Sequence, residues 1–334
     1  MAQQYLPDLL QGRIFYQPSE QGYEATVREN VTKYREAQIA FFHSLSEDEK
    51  SSFSDYWEAR TLDSSGELLH EVREKIIEIA NLSRSSLALV LNAGDGLLLG
   101  ELLRQISDET VYAMVETEAE KQLLNRMHAE SSSGIKPVVE PDKSGDPSSF
   151  KIDELLFDRV VGRNVLQNQN NKASFLKTIS KWISAEGYII LTENVPSKGQ
   201  RLSNLIPQDC MDSELHEKLN HAEEKIYNNP QNPRCNWTPE TLQEQLEAEN
   251  WIIDFWHLKE YRTPIMIRKE HVEQWFKVET KENFSGYLHE LSSFISHGEM
   301  QALNECFRKE VAGKMVEWRS VCLFMRLIMN FRNE

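Results

Sequence analysis

The sequence has no long apolar run, and no stretch approaches the roughly 20 residues that a helix needs to cross a bilayer. Its typical apolar segments, residues 86–93 and 187–191, have the length of buried strands. At the amino terminus, no basic segment precedes an apolar core, so we expect no secretory signal. These absences predict a cytoplasmic protein without a membrane-embedded part.

Cysteine is also scarce, with four in 334 residues. Cys210, Cys235, Cys306 and Cys322 form no closely spaced pair, and no histidine cluster lies beside them in the sequence. The pattern therefore predicts no zinc or other metal site. We expect four reduced thiols, as in most cytosolic proteins.

Basic residues are fewer than acidic ones. The chain has 37 Lys and Arg residues against 53 Asp and Glu residues, which gives a formal net charge of -16. A surface of this sign repels phosphate backbones, so we expect no direct binding to nucleic acid. Hydrophobic residues make up 40% and charged residues 27% of the chain, which is typical of a folded globular protein.

The order of the remaining features divides the chain into three regions. Residues 1–60 predict a partly helical amino-terminal extension. Residues 61–268 alternate buried strand patterns with amphipathic helix patterns, which is typical of a doubly wound α/β domain with a mostly parallel sheet. Residues 269–334 are rich in apolar residues at helical spacing and predict a helical carboxy-terminal extension.

Within the α/β region, strands are predicted near residues 86–92, 111–115, 157–162 and 187–192. Residues 238–240 (Thr-Pro-Glu) predict the start of a helix that runs to about Glu249. Residues 251–258 and 261–267 then predict two strands in close succession. Such a short connection permits only an antiparallel hairpin, so we expect the sheet to end in one.

The first of these strands leads into a glycine-containing turn. Asn92, Gly94 and Gly96 follow the apolar run, and glycine lets a ligand approach the backbone closely. Asn92 tolerates a left-handed backbone better than most residues do, so we expect the turn to form. Glu116 lies 20 residues beyond Gly96, at the end of the second strand.

This layout resembles the class I S-adenosylmethionine-dependent methyltransferases. The resemblance implies S-adenosylmethionine as a cofactor, held by Asn92, Gly94, Gly96 and Glu116. It implies that the Glu116 carboxylate accepts hydrogen bonds from the two ribose hydroxyls. It also places Arg163 and Asn164, which follow the fourth strand, near the transferred methyl group. The sequence departs from the family at two positions. Val90 stands where the family has an acidic residue, and Asn92 replaces the first glycine of the turn.

A second resemblance covers only about 35 residues. Residues 5–8 (Tyr-Leu-Pro-Asp) and 15–24 (Phe-Tyr-Gln-Pro-Ser-Glu-Gln-Gly-Tyr-Glu) are similar to the carboxy-terminal tail of replication-associated recombination ATPases of the AAA+ class. The phosphate-binding pattern Gly-x-x-x-x-Gly-Lys-Ser/Thr is missing from the sequence, so ATP hydrolysis by that route is excluded. The combination is similar to cyanobacterial fusions of that ATPase with a methyltransferase-like domain. It implies a replication or recombination ATPase as a partner.

Two functions from different classes remain open. One is a methyltransferase with an unknown acceptor and unassigned catalytic residues. The other is a catalytically degenerate methyltransferase fold that acts as an interaction module in DNA replication or recombination. Amino-methylation of DNA bases is disfavoured, because residues 164–167 (Asn-Val-Leu-Gln) contain neither the prolines nor the aromatic residue of that reaction's motif. A dinucleotide-binding domain is disfavoured by the terminal antiparallel strands.

Overall fold

The computed structural model describes residues 66–115, 138–141, 155–276 and 287–329, together with Glu120 and Gln122. The predicted extension of residues 1–60 lies outside the described residues, and so does Glu116. Among the described residues, no helix combines the length and the apolar character needed to cross a membrane.

Seven strands of the described part of the chain join in one sheet. They are β1 (Ala88–Leu91), β2 (Val111–Val115), β3 (Val138–Pro141), β4 (Phe157–Arg163), β5 (Ile183–Asn194), β6 (Trp251–Met266) and β7 (Met315–Met329). Their order across the sheet is β3-β2-β1-β4-β5-β7-β6. Strands β1 to β5 run parallel, whereas β7 is antiparallel to both of its neighbours. The predicted doubly wound, mostly parallel sheet with a terminal antiparallel pair is thus confirmed.

Helices pack on both faces of this sheet and on the far ends of β6 and β7. Within the described ranges they are α1 (Gly66–Ala80), α2 (Leu97–Gln105), α3 (Lys172–Ser180), α4 (Ser213–Tyr227), α5 (Pro239–Ala248), α6 (Lys269–Trp275), α7 (Tyr287–Ser292) and α8 (His297–Glu310). The predicted start of α5 is confirmed, because the Thr238 hydroxyl accepts a hydrogen bond from the amide of Thr241 at 3.2 Å.

The two faces of the sheet are covered by different helices. Val90, Val161 and Ile190 pack against α1 and α2 on one face, which we call the α1 face. Leu89 and Leu191 pack against α3 and α5 on the opposite face. Since all four residues of β1 are buried, the strand shows no alternation of apolar and polar residues, as expected for a strand covered on both faces.

The terminal antiparallel pair uses other residues than the sequence predicts. Residues 251–258 and 261–267 do not form a hairpin, because β6 runs without a turn from Trp251 to Met266. Lys259 and Glu260, which separate the two predicted strands, pair with β7 like their neighbours. They carry no turn signal, and β6 lies at the edge of the sheet, where charged side chains reach solvent.

The second strand of the pair comes from residues 269–334, which were predicted to be all-helical. The helices of this region end at Glu310, and β7 begins at Met315. Residues 321–325 are buried between β5 and β6 and show no alternation. A strand that is buried on both faces cannot be told from a buried helix by its periodicity, which explains the error.

A disulfide joins Cys210 and Cys306, contrary to the expectation of four reduced thiols. Cys210 ends a short 3-10 turn after β5 and Cys306 lies on α8, so 96 positions separate them in the sequence. Their Cα atoms are nevertheless 6.3 Å apart. The sequence did not reveal the pair, because the contact depends on how α8 packs against the segment that follows β5. Cys235 and Cys322 are buried and take no part in this disulfide.

We expect the disulfide to raise the free energy of unfolding by up to about 4 to 5 kcal/mol, because it closes a loop of about a hundred residues in the unfolded chain. Reductant should lower the urea midpoint of the wild-type protein. The Cys210→Ser/Cys306→Ser double variant should unfold at the midpoint of the reduced wild type and should not respond to reductant. A wild-type midpoint that reductant leaves in place would contradict the assignment.

Candidate functional site

The carboxyl ends of β1 and β4 define a crevice in the sheet. These two strands are neighbours, but the chain leaves β1 towards β2 on one side and leaves β4 towards β5 on the other. Open α/β sheets bind ligands at such a reversal, outside the carboxyl ends of the strands. Asn92 follows β1 and Asn164 follows β4, so both predicted site residues lie at this crevice.

The turn after β1 has the backbone that the sequence predicts. Asn92 has φ 50° and ψ 52°, a left-handed conformation, and a short 3-10 turn follows from Ala93 to Asp95. Gly96 has φ 69° and donates its amide to the Ala93 carbonyl at 3.0 Å. Asparagine and glycine adopt this conformation at the least cost, so the replacement of the first glycine by Asn92 leaves the turn intact.

Gly94 presents a bare backbone surface that the Glu120 carboxyl group contacts. A Cβ atom on Gly94 would lie 2.8 Å from Cδ of Glu120, which is closer than such atoms approach. Any side chain at position 94 would therefore displace Glu120. Conversely, a ligand that lies against Gly94 must share this space with the Glu120 carboxyl group or move it.

Side-chain amides join the carboxyl ends of the strands around the crevice. The Asn92 Nδ2 group donates to the Arg163 carbonyl at 3.0 Å, which connects the ends of β1 and β4. Asn164 has φ 53° and is buried. Its Oδ1 atom accepts from the amide of Asn194 at 3.0 Å, which connects β4 to β5. The structure thus brings Asn92, Arg163 and Asn164 together, and Asn164 uses its carbonyl oxygen to hold the strand ends.

The described part of the crevice lacks two carboxylates that the family uses to hold its cofactor. Val90 is 1% exposed and packs into the core on the α1 face, so β1 carries no carboxylate at that position. Glu116, the predicted ligand of the ribose hydroxyls, lies outside the described residues. Its role stays a prediction.

Lys172 and Glu193 are buried charged residues near the same strand ends that sequence reasoning missed. Glu193 is fully buried at the end of β5 and accepts from the Leu166 amide at 3.0 Å. Lys172 is 2% exposed and donates to the Pro233 carbonyl at 2.8 Å and to Oδ1 of Asn236 at 3.0 Å. It thereby ties the proline-containing loop before α5 to the segment after β4. No sequence signal marks Lys172, which looks like an ordinary residue of a polar helix start.

The sequence matches no protein-family model and no curated protein. A candidate methyltransferase from Bacillus halodurans is similar in structure, with 16% identity, a TM-score of 0.48, and coverage of 77% of this chain and 98% of its own. The YcgJ protein from Bacillus subtilis has 12% identity, a TM-score of 0.46, and coverage of 78% and 99%. The plantazolicin methyltransferase BpumL in complex with SAH has 13% identity, a TM-score of 0.40, and coverage of 90% and 98%. Likenesses at this level assign no activity.

The left-handed turn predicts opposite effects of alanine at two neighbouring glycines. Gly96→Ala should lower the free energy of unfolding by about 1–2 kcal/mol, because a Cβ atom is strained at positive φ. Gly100→Ala should raise it by about 0.5–1 kcal/mol, because Gly100 lies within α2 and a Cβ atom there meets nothing within 4 Å. Chemical denaturation checks both variants. Equal stability of the two variants would contradict the described turn.

The buried lysine predicts a rise in stability with pH. Burial lowers the pKa of Lys172 to about 8, against about 10.4 for an exposed lysine. The unfolded chain therefore holds this proton more tightly, so the penalty for a charged Lys172 is complete below about pH 8 and disappears as the pH rises to about 10.5. The gain is up to about 3 kcal/mol.

Lys172→Met is the control for this effect, because other groups titrate in the same range. We expect the difference in unfolding free energy between wild type and variant, measured in urea, to shift in favour of the wild type between about pH 7.5 and about pH 10.5. The same difference at both pH values would show that burial does not depress this pKa.

Proposed function

We propose that this protein is an S-adenosylmethionine-dependent methyltransferase. The observation that carries the proposal is the turn from Asn92 to Gly96, which places bare backbone at the crevice between β1 and β4. The antiparallel β7, inserted between β5 and β6, separates this sheet from the dinucleotide-binding order, in which a parallel strand follows β5 directly.

The backbone of the turn at the crevice can accommodate the amino acid portion of the cofactor. The surface of Gly94 is open enough for close approach once the flexible Glu120 side chain shifts, and the turn holds its left-handed shape through Asn92 and Gly96. Glu116 is the residue that we expect to accept hydrogen bonds from the ribose hydroxyls. Val90 offers no charge for the amino group, so this part of the fit is the weakest.

When bound, S-adenosylmethionine supplies an electrophilic methyl group to a lone pair on the acceptor. The chain's own contribution is then chiefly to hold both partners close and in line. Arg163 ends β4 and Asn164 follows it, at the side of the crevice that faces β5. We expect these two residues nearest to the reacting atoms. The hydrogen bonds from Asn92 and to Asn164 fix this segment relative to β1 and β5, which is the positioning that such a transfer needs.

A specific observation favours a second function, an interaction module without catalysis. Val90 leaves β1 without a carboxylate, and the Glu120 carboxyl group occupies the surface of Gly94. On the resemblance of residues 5–24 to the tail of recombination ATPases, we propose such an ATPase, in a cyanobacterial setting, as the partner under either function. Those residues lie outside the described part of the chain, so this proposal depends on the sequence alone.

Calorimetric titration with S-adenosylmethionine and S-adenosylhomocysteine tests the first function. We expect saturable binding near one ligand per chain. Gly94→Ala should weaken it at least roughly tenfold, or about 1.4 kcal/mol, because the new methyl group fills the space over the backbone. Glu116→Ala should weaken binding as well, through loss of the contact to the ribose hydroxyls.

Gly298→Ala is the matched control, because Gly298 lies on α8 and a Cβ atom there meets nothing within 4 Å. It should bind both ligands like the wild type. If wild-type protein gives neither heat nor thermal stabilisation with either ligand, the methyltransferase proposal is wrong and the interaction module is favoured.

A further inference from the structure

A row of polar side chains lies on the α1 face of the sheet, beside the crevice. Arg163 is two positions beyond Val161 on β4, and Thr192 and Asn194 are two and four positions beyond Ile190 on β5. Because side chains two apart in a strand point to the same face, all three belong to the α1 face. Arg163 is the register partner of Thr192.

The row continues across the next two strands. Asn194 on β5 pairs with Cys322 on β7, and the Cys322 thiol donates to Oδ1 of Asn194 at 3.3 Å. Tyr261 on β6 pairs with Ser320, two positions from Cys322 and therefore on the same face. Tyr261 and Cys322 both belong to the apolar cluster of the α1 face. The row is thus Arg163, Thr192, Asn194, Cys322 and Tyr261.

Three atoms of the row are buried without any hydrogen-bond partner. They are Oγ1 of Thr192, Nδ2 of Asn194 and Oη of Tyr261. The three residues are only 2%, 6% and 6% exposed. Buried polar atoms normally have partners, and leaving them unpaired lowers stability. Two of the three atoms lie on β5 and the third lies on β6, all on the α1 face, and the described chain supplies a partner to none of them.

The row combines positive charge with hydrogen-bond donors. Burial raises the pKa of the Cys322 thiol to about 12, the positive charges of Arg163 and Lys259 oppose this rise, and the Glu193 carboxylate adds to it. Asn194 Nδ2 can only donate, and the hydroxyls of Thr192 and Tyr261 can donate. The nearby Glu71 carboxylate is bound by the Lys259 ammonium at 2.9 Å. Arg163 is the register partner of Thr192, and Asn194 lies two positions further along β5, so a guanidinium and two donors at this end of the row match the two oxygens of a carboxylate.

We propose that this row is a subsite for a carboxylate group and that the methyl acceptor is a small molecule that carries one. The assignment of the bound molecule as a methyl acceptor rests on the proposed methyltransferase function. Arg163 connects the two sites, because its carbonyl accepts from Asn92 at the turn while its side chain lies on the face of the row. A molecule held by the row is therefore placed beside the crevice where the cofactor is expected.

Binding is tested on the full chain with acetate and benzoate, each beside its uncharged amide, acetamide and benzamide. We expect a saturable rise in melting temperature with at least one carboxylate and none with the matching amide. Thr192→Val keeps the shape of the side chain and removes the hydroxyl beside Arg163, so it should weaken carboxylate binding by roughly fivefold to tenfold. The proposal would be overturned if a carboxylate and its amide raised the melting temperature equally, or if neither carboxylate raised it.

The stability of the unliganded variants gives a second, independent test. Since the Tyr261 hydroxyl has no partner, Tyr261→Phe should melt at or above the wild-type temperature, and so should Thr192→Val. The matched control is Tyr227→Phe, because the Tyr227 hydroxyl is buried and donates to the Gln200 carbonyl at 3.3 Å. That variant should melt lower. A similar loss in Tyr261→Phe would mean that an ordered water already satisfies the hydroxyl, and the subsite would be refuted.

Titration with S-adenosylhomocysteine separates the two proposals. Carboxylate binding without S-adenosylhomocysteine binding would support the subsite and refute the methyltransferase. The reverse result would refute the subsite alone.

Discussion

The insertion of β7 between β5 and β6 is the constraint on which the rest of the structure depends. Its central residues Leu323, Phe324 and Met325 are fully buried, and it is hydrogen-bonded along one side to β5 and along its whole length to β6. Without β7, the parallel part of the sheet would end at β5 and β6 would have no partner. The first half of β7 extends past β5, where Trp318 packs with the helices α4, α6, α7 and α8 in one apolar cluster. The same strand therefore supports both the sheet and the helical group that the disulfide ties down.

The local parts of this fold could be predicted from the sequence, and the non-local parts could not. The strands β1, β2, β4 and β5 and the capped start of α5 depend on residues within a few positions of each other, and all were predicted near their observed places. The pairing of β5 with β7 depends on contacts such as Asn194 with Cys322, which are 128 positions apart. Residues 321–325 carry no signal for the strands that cover them. Their continuous apolar run therefore could not be distinguished from a buried helix.

The same division holds for the candidate site. The left-handed turn at Asn92 could be predicted, because backbone preference is a property of single residues. The meeting of Arg163 and Asn164 with this turn followed from the order of the strands. That Asn164 would hold the amide of Asn194, or that Thr192 and Tyr261 would share a face, requires the register of four strands. A shift of one residue in any of them would place these side chains on the opposite face.

The turn alone does not decide whether the chain still binds a ligand, because the fold uses the turn in any case. Gly96 closes the start of α2, and the Asn92 amide holds the end of β4, so both stabilise the protein without a cofactor. The row on the α1 face is different. Its three unpartnered atoms stabilise nothing in the described chain, and each such atom costs about 1–3 kcal/mol when buried. A fold that served only to display a surface would be more stable with valine in place of Thr192 and phenylalanine in place of Tyr261. A carboxylate bound in the proposed subsite would offset part of this cost.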